Sequence, residues 1–481
     1  MKEYLLPVKI VASNQVTNAE SLFVAKGMYP VQDMNVENWK KNMSLEGLGA
    51  SVTLDFGKEM HGGVRLFPGL VHRDITQHFP HCKARIRFGE SLGEVNSSLG
   101  EKNAGNAHSP RDFEVYICSS SDMLVGQTGF RFVRIDLLED KVLPFRNIYC
   151  ENNMFSGKAI YTYQGEDKRI KDIFDVARRT VELCSSTGYI WDGVKRDRLV
   201  WVGDLAPEVM AMCSIYGKLP AVEKSLDLSK KLAPLPYFMN GIYTYSMWWI
   251  IILADYFKEF SCESYIKKQR KYLEGLLPVM DGLVDEEGNL NTQIRYLVDW
   301  PTRGTSDELT GVRAIFLMAM NGAECLLRAL NRPTDIVEKI RKKLLLQPMN
   351  VEAKKQVIAL KYFAIGEITD EEYAKLIEGG AKGFSTFMSY YILTAIASRD
   401  EALAIKLMKE YYGGMLDRGA TTFWEDFNIE WLEGSGRIDE ADDSKKDLHG
   451  DYGAFCYVGF RHSLCHGWSA GVVKFIKEHC R

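Results

Sequence analysis

Ile170-Lys-Asp-Ile-Phe-Asp-Val-Ala-Arg-Arg-Thr-Val-Glu-Leu-Cys184 is where the hydrophobic period of this chain changes. Its apolar residues at 170, 173, 174, 177, 181 and 184 recur at helical spacing and predict an amphipathic face turned to a core. Upstream the period is two. Residues 51–56, 63–67, 83–88, 112–117 and 130–135 alternate apolar with polar side chains, and turn-rich stretches, notably 93–110, separate them. Short alternating strands with such turns predict an N-terminal antiparallel β-sandwich, jelly-roll-like, over residues 1–163. Residues 156–163 fit a last strand or an exit linker. Downstream of the quoted stretch, helical patterns recur near 205–216, 220–233, 244–260, 263–277, 307–330, 334–346, 351–365, 370–379, 384–398, 401–412 and 467–479. About twelve helices in residues 164–481, with proline breaks between several of them, suit an (α/α)6 toroid of six hairpins. No repeat of fixed period supports an α-solenoid instead.

A chain of 481 residues is long enough for two domains and a large core. Its net charge of −4 offers no basic stripe, which argues against nucleic acid as a partner. Ten cysteines without CxxC or regular spacing predict reduced, mostly buried thiols and no zinc site. The N-terminus shows no signal-peptide pattern, and the apolar run 247–254 is too short to span a bilayer. The expectation is a cytoplasmic protein, or a periplasmic one if a leader has been removed, with no membrane partner and no cofactor. Its oligomeric state does not follow from the sequence.

Chemistry concentrates in four clusters. Asp192-Gly-Val-Lys-Arg-Asp-Arg-Leu-Val-Trp-Val-Gly-Asp204 packs three carboxylates and three cations around a tryptophan. Such crowding is costly unless the charges are paired or used, although a solvated helix start is the commoner fate of a charge run. Asp299-Trp300 precedes a long helix in which Ser306 is the candidate N-cap. Trp424-Glu425 could hold a carboxylate against an apolar ring, which raises a carboxyl pKa; a surface glutamate is the plainer reading. His466 and Trp468 open the final helix. Trp201, Trp300, Trp424 and Trp468 fall one to a cluster, each beside a carboxylate or histidine, as sugar recognition requires. No nucleophile elbow, phosphate-cradling loop or HExxH is present, and 285–289 departs from EF-hand spacing.

At these clusters the chain resembles the α-L-rhamnosidases, inverting glycoside hydrolases of the (α/α)6 six-hairpin superfamily. The 192–204 segment is similar to the family's opening motif, Gly419-Ala-Thr-Thr-Phe-Trp-Glu425 to its GATT-x-WE segment, and Ser463-Leu-Cys-His-Gly-Trp-Ser-Ala-Gly471 to its SLNHGWGAG segment. Asp299-Trp300 resembles its Asp-Trp loop, while Leu54-Asp-Phe-Gly-Lys58 and Gly129-Phe-Arg-Phe-Val-Arg134 look like its sandwich domain. The resemblance implies Asp197 as general acid and Glu425 as general base. It implies Asp192, Arg196, Trp201, Asp204, Asp299, Trp300, Trp424, His466 and Trp468 around a rhamnose-like ring, with no metal. Asp197 replaces the family's usual Glu, one methylene longer, and Gly193-Val194 its Cys-Pro. The expected activity is hydrolysis of a terminal α-L-rhamnoside or similar sugar on a carbohydrate substrate. The alternatives are an (α/α)6 glycosidase for another sugar, or a carbohydrate-binding protein with weakened catalysis. Arg196 and Arg198 beside Asp197 would disfavour an acid role unless Asp192 or Asp204 offsets their charge.

Overall fold

The computed structural model describes residues 2–24, 41–69 and 81–480. Among the described residues, nine strands form one curled antiparallel sheet: β1 (Lys2–Leu5), β2 (Lys9–Asn14), β3 (Val16–Thr17), β4 (Met43–Glu46), β5 (Ser51–Pro68), β6 (His81–Gly89), β7 (Asp112–Cys118), β8 (Met123–Leu137) and β9 (Val142–Asn153). Strand order is β3-β4-β9-β5-β8-β6-β7, with β1 on β9 and β2 on β5. The two predicted strands 51–56 and 63–67 are one 18-residue strand. It continues through the polar turn residues because β8 follows it across two register breaks. Its ends change partners: Ser51–Asp55 pairs with β2, and Gly62–Pro68 with β9. The last strand is β9, and residues 156–163 lie outside any strand. β9 is buried at nine of its twelve positions, so it lacks the alternation that announces a half-buried strand.

Twelve helices follow the short α1 (Leu92–Asn96) among the described residues: α2 (Lys168–Cys184), α3 (Leu205–Tyr216), α4 (Pro220–Leu232), α5 (Tyr243–Phe260), α6 (Glu263–Asp281), α7 (Glu308–Ala329), α8 (Asp335–Leu344), α9 (Lys355–Ile365), α10 (Asp370–Ile377), α11 (Ser389–Ala397), α12 (Glu401–Asp417) and α13 (Val472–His479). Alternate helices pack in a closed cycle: α3 on α5, α5 on α7, α7 on α9, α9 on α11, α11 on α13, and α13 back on α3. The sequence carries the reason. α3, α5 and α11 are apolar and buried almost all round, as helices flanked on every side must be. α8 and α10 bury only a stripe and turn charges to water. α7 is long and apolar enough to cross a membrane by length and composition, but it packs inside this cycle.

Local chemistry sets the ends. The Asp167 carboxylate accepts from Arg169 N and Ile170 N at 2.9 and 3.2 Å and starts α2. Ser306 is not the cap of α7: its hydroxyl bonds Glu352, and Asp307 occupies the cap position. The Asp307 carboxylate accepts instead from the backbone N–H groups of Glu352, Ala353 and Lys354, just ahead of α9. α12 runs five residues past Tyr412 because Gly413 and Gly414 are close-approach positions, not a terminus. A Cβ at 413 would stand 2.4 Å from the Arg169 guanidinium, and one at 414 would stand 2.8 Å from Leu432.

Buried ion pairs join the two domains. Arg131 on β8 holds Asp55 through two bonds of 2.9 and 3.0 Å, and also Asp439 of the helical domain at 3.0 Å. Removing one partner of a buried pair strands the other charge, at a cost of about 3–5 kcal/mol. Arg131→Ala is therefore expected to lower unfolding free energy by about that amount in chemical denaturation. A loss below about 1 kcal/mol, the range of a surface pair, would contradict this account of the interface.

Candidate active site

The segment that crowds its charges folds into a closed loop. Asp192 N donates to Leu199 O at 3.1 Å, and Leu199 N donates to the Asp192 carboxylate at 2.8 Å. Gly193 forms a β-bridge with His466, where a Cβ would meet Cys465 O at 3.1 Å and the His466 ring at 3.4 Å. At the tip, Asp197 and Arg198 have φ of 52° and 56°, left-handed backbone that costs of order 1–3 kcal/mol per residue and clusters at functional sites. This turn sends neighbouring side chains apart. Arg198 leaves for the β domain, donating to Gln127 O and His108 O at 2.9 and 2.8 Å, so only Arg196 accompanies Asp197. Asp204 begins α3 without capping it; its carboxylate accepts from Tyr245 Oη at 3.1 Å.

These groups face a cavity of about 230 Å³, room for one sugar ring rather than a chain. Nine predicted residues line it: Asp192, Arg196, Asp197, Trp201, Asp204, Trp300, Glu425, His466 and Trp468. Asp197 is half-buried, receives the Trp201 indole N–H at 3.2 Å and lies 3.1 Å from His108 Nε2. Glu425 is 4% exposed. It accepts from Ser463 N at 3.1 Å, pairs with Arg196, and has His466 Nε2 at 3.6 Å. Its backbone is pinned as well: Glu425 N donates to Ser463 O, and its carbonyl accepts from Thr386 Oγ1 and the Trp468 indole. The Arg196 guanidinium reaches Glu425 with one terminal nitrogen and stands 3.7 Å from Asp197 with the other.

Burial decides the charge states of the floor. It pushes Asp192 well above the usual carboxylate range, and the nearby Asp204 and Asp197 add to that. Burial does the same to Asp204 and to Glu208 beneath it, whose two oxygens have no hydrogen-bond partner. His466 is driven well below its ordinary value by burial and by Arg196, so it is a neutral imidazole among carboxyl groups. Burial opposes the charge of Arg196, but Glu425 and Asp197 more than offset it and lift the guanidinium above its ordinary range. The cavity thus combines carboxyl groups that burial shifts toward the neutral form with one cation that approaches both Asp197 and Glu425.

Two predicted residues lie outside the lining. Trp424 is buried in the core against Phe427, because neighbours in an extended segment point opposite ways and Glu425 takes the cavity side. Asp299 is buried behind Trp300, bonding Trp300 N at 2.8 Å and the Ser385 hydroxyl. Sequence reasoning missed Tyr245, Tyr457, Arg295 and His108. Tyr245 is hidden in the uniformly apolar α5. Tyr457 lies over Arg196 with 5.7 Å from guanidinium to ring centre, in a loop without period. His108 comes from the β domain and carried no local signal. Glu90, Glu94 and His449 have ligand atoms close enough to hold a metal. The Lys195 ammonium is already there, 2.8 Å from Glu94 and 3.3 Å from Glu90, so a second cation does not fit the charge balance.

Comparison of the whole fold with solved structures gives its relatives. A rhamnosidase from Klebsiella oxytoca, solved with rhamnose bound, superposes with a TM-score of 0.75 at 17% identity, over 99% of this chain and 96% of that one. This chain has a rhamnosidase fold. A rhamnosidase of family GH78 from Bacillus sp. GL1 matches with a TM-score of 0.69 at 17% identity, over 89% of this chain and 46% of that one. The Streptomyces avermitilis α-L-rhamnosidase, complexed with L-rhamnose, matches at 0.63 and 13%, over 90% of this chain and 43% of that one. The chain thus spans nearly all of the first rhamnosidase and about half the length of the other two. No family model and no curated protein matches the sequence.

Burial raises Asp299 from 3.8 to about 7, against the Ser385 and Trp300 donors that favour its charge. A carboxyl raised by folding contributes stability that is complete below about 3.8 and lost as pH climbs through about 7. Asp299→Asn keeps the shape and cannot ionise. Thermal melts between pH 4 and 8 are expected to fall less steeply with pH for the variant than for the parent; parallel curves would refute this charge state.

Proposed function

We propose that this protein is a glycoside hydrolase that removes a terminal α-L-rhamnose, or a similar deoxy-sugar, by a single displacement with water. The helical domain is an (α/α)6 toroid whose loops at one end form the sugar site; the closed cycle of alternate helices supports that reading. The observation that carries the function is the placement of Asp197 and Glu425 on one sugar-sized cavity, each approached by a different nitrogen of one guanidinium. Inversion needs two carboxyl groups about 6.5–9.5 Å apart, so that water enters between base and sugar. Asp197 and Glu425 approach different terminal nitrogens of the Arg196 guanidinium, which supports such an arrangement.

In the mechanism Asp197, half-buried at the mouth, gives its proton to the leaving oxygen. Glu425 takes a proton from the water that attacks the opposite ring face. Neutral Asp192 and Asp204 donate to sugar hydroxyls, and Trp201, Trp300, Trp468 and Tyr457 cover the apolar ring face and a deoxy-sugar methyl. The shorter Asp197 sits in a left-handed turn and still lines the cavity. The ten unpaired thiols favour a reducing compartment, the cytoplasm.

A panel of aryl glycosides tests this. Release from the α-L-rhamnoside is expected, with Asp197→Asn and Glu425→Gln each losing about 10²–10⁴-fold in kcat. Turnover of a different sugar alone would reject rhamnose. Rhamnose binding without turnover of any glycoside would make the protein a carbohydrate binder.

A further inference from the structure

The loops that carry Asp197 and Glu425 share one buried cation. Lys195, two residues before Asp197, turns its side chain away from the cavity into the domain interface, where Nζ donates to Phe460 O and His462 O at 2.7 Å each. Facing it are Glu90 and Glu94 of the β domain, with Arg111 paired to Glu94. Burial pushes Lys195 down to about 7 and Glu90 up, while each charge favours the other; the buried Glu59 carboxyl faces the same cluster, and His449 is driven well below its ordinary value by burial. Glu90 also accepts from Leu464 N at 2.6 Å and from the Ser463 hydroxyl at 3.2 Å. The next bond in the chain runs from Ser463 N to the Glu425 carboxylate. A β-domain carboxylate is therefore one residue from the proposed base, and its partner lysine is two residues from the proposed acid.

We propose that Glu90 is a positioning residue for Glu425, and that the β domain sets the geometry of catalysis through it rather than only bracing the helices. Glu90 grips Ser463 and Leu464, and through Lys195 it fixes the 460–462 backbone to the turn that bears Asp197. The inference rests on the proposed function for its kinetics. Physically it stands on two features. The cluster is almost fully excluded from water, with Glu90, Glu94 and Lys195 each no more than 3% exposed. Loss of either partner would also leave the other charge uncompensated and move the backbone between them.

Glu90→Gln in the full chain is the test, with Glu90→Asp as the conservative variant and Val52→Ala as a β-core control matched in melting temperature. For Glu90→Gln, kcat is expected to fall about 10–100-fold, as a displacement of about 1 Å would cause, with KM within about threefold. The acidic limb of the rate profile is expected to move to higher pH, because a carboxylate that loses a donor is harder to ionise. Glu90→Asp restores part of the rate, and Val52→Ala leaves the limb in place. An unmoved limb, or a loss equal to that of the control, would overturn the proposal. Amide hydrogen exchange gives a readout free of any substrate: Ser463 and Leu464 exchange faster in Glu90→Gln. Unchanged exchange there overturns the positioning role even if no glycoside is turned over, whereas inactivity of the parent chain overturns only the proposed function. Should Glu90→Gln not fold, Ser463→Ala removes only the hydroxyl that Glu90 accepts, and faster exchange at Leu464 is again the expected result.

Discussion

The guanidinium of Arg196 holds the site together. It is nearly buried, yet it touches Glu425 and Asp197 from its two terminal nitrogens, and these carboxylates offset what burial takes from its charge. A guanidinium is rigid and planar, with donors in a fixed fork. That of Arg196 pairs with Glu425 and stands 3.7 Å from Asp197, so both groups are oriented toward one rigid cation. Lysine, a point charge on a flexible stem, could neutralise them without fixing their spacing. Around this cation burial shifts Asp192, Asp204 and Glu208 toward the uncharged form, since a buried anion without a countercharge is costly.

The same economy governs the domain interface. Arg131 bridges Asp55 and Asp439 there, and Lys195 lies between Glu90 and Glu94. Buried pairs contribute little net stability, but they forbid alternative dockings, because any shift strands a charge in a dry medium. The β domain also sends His108 to the cavity mouth, 3.1 Å from Asp197. The domain boundary and the active site are thus one construction.

Much of this was legible in the residues. Period two before residue 160 and period 3.6 after it separate the domains, and most helix bounds follow from apolar stripes and proline breaks. The failures have physical causes. β9 is buried on both faces and does not alternate. Gly413 and Gly414 resemble a helix stop, but Arg169 and Leu432 press on them from outside the helix. Trp424 is the same residue type as Trp201, Trp300 and Trp468, yet its side of the chain faces the core; composition cannot tell which side that is. Tyr245 and His108 reach the cavity only through tertiary contacts, so no local pattern marks them.

The stereochemistry of the first sugar released tests the central claim most directly. Proton NMR of a fresh digest of an aryl α-L-rhamnoside is expected to show β-L-rhamnose first, with the α anomer growing only by mutarotation. Initial release of the α anomer would mean a nucleophile bonded to the sugar, and would contradict two acids held apart by Arg196 with water between them.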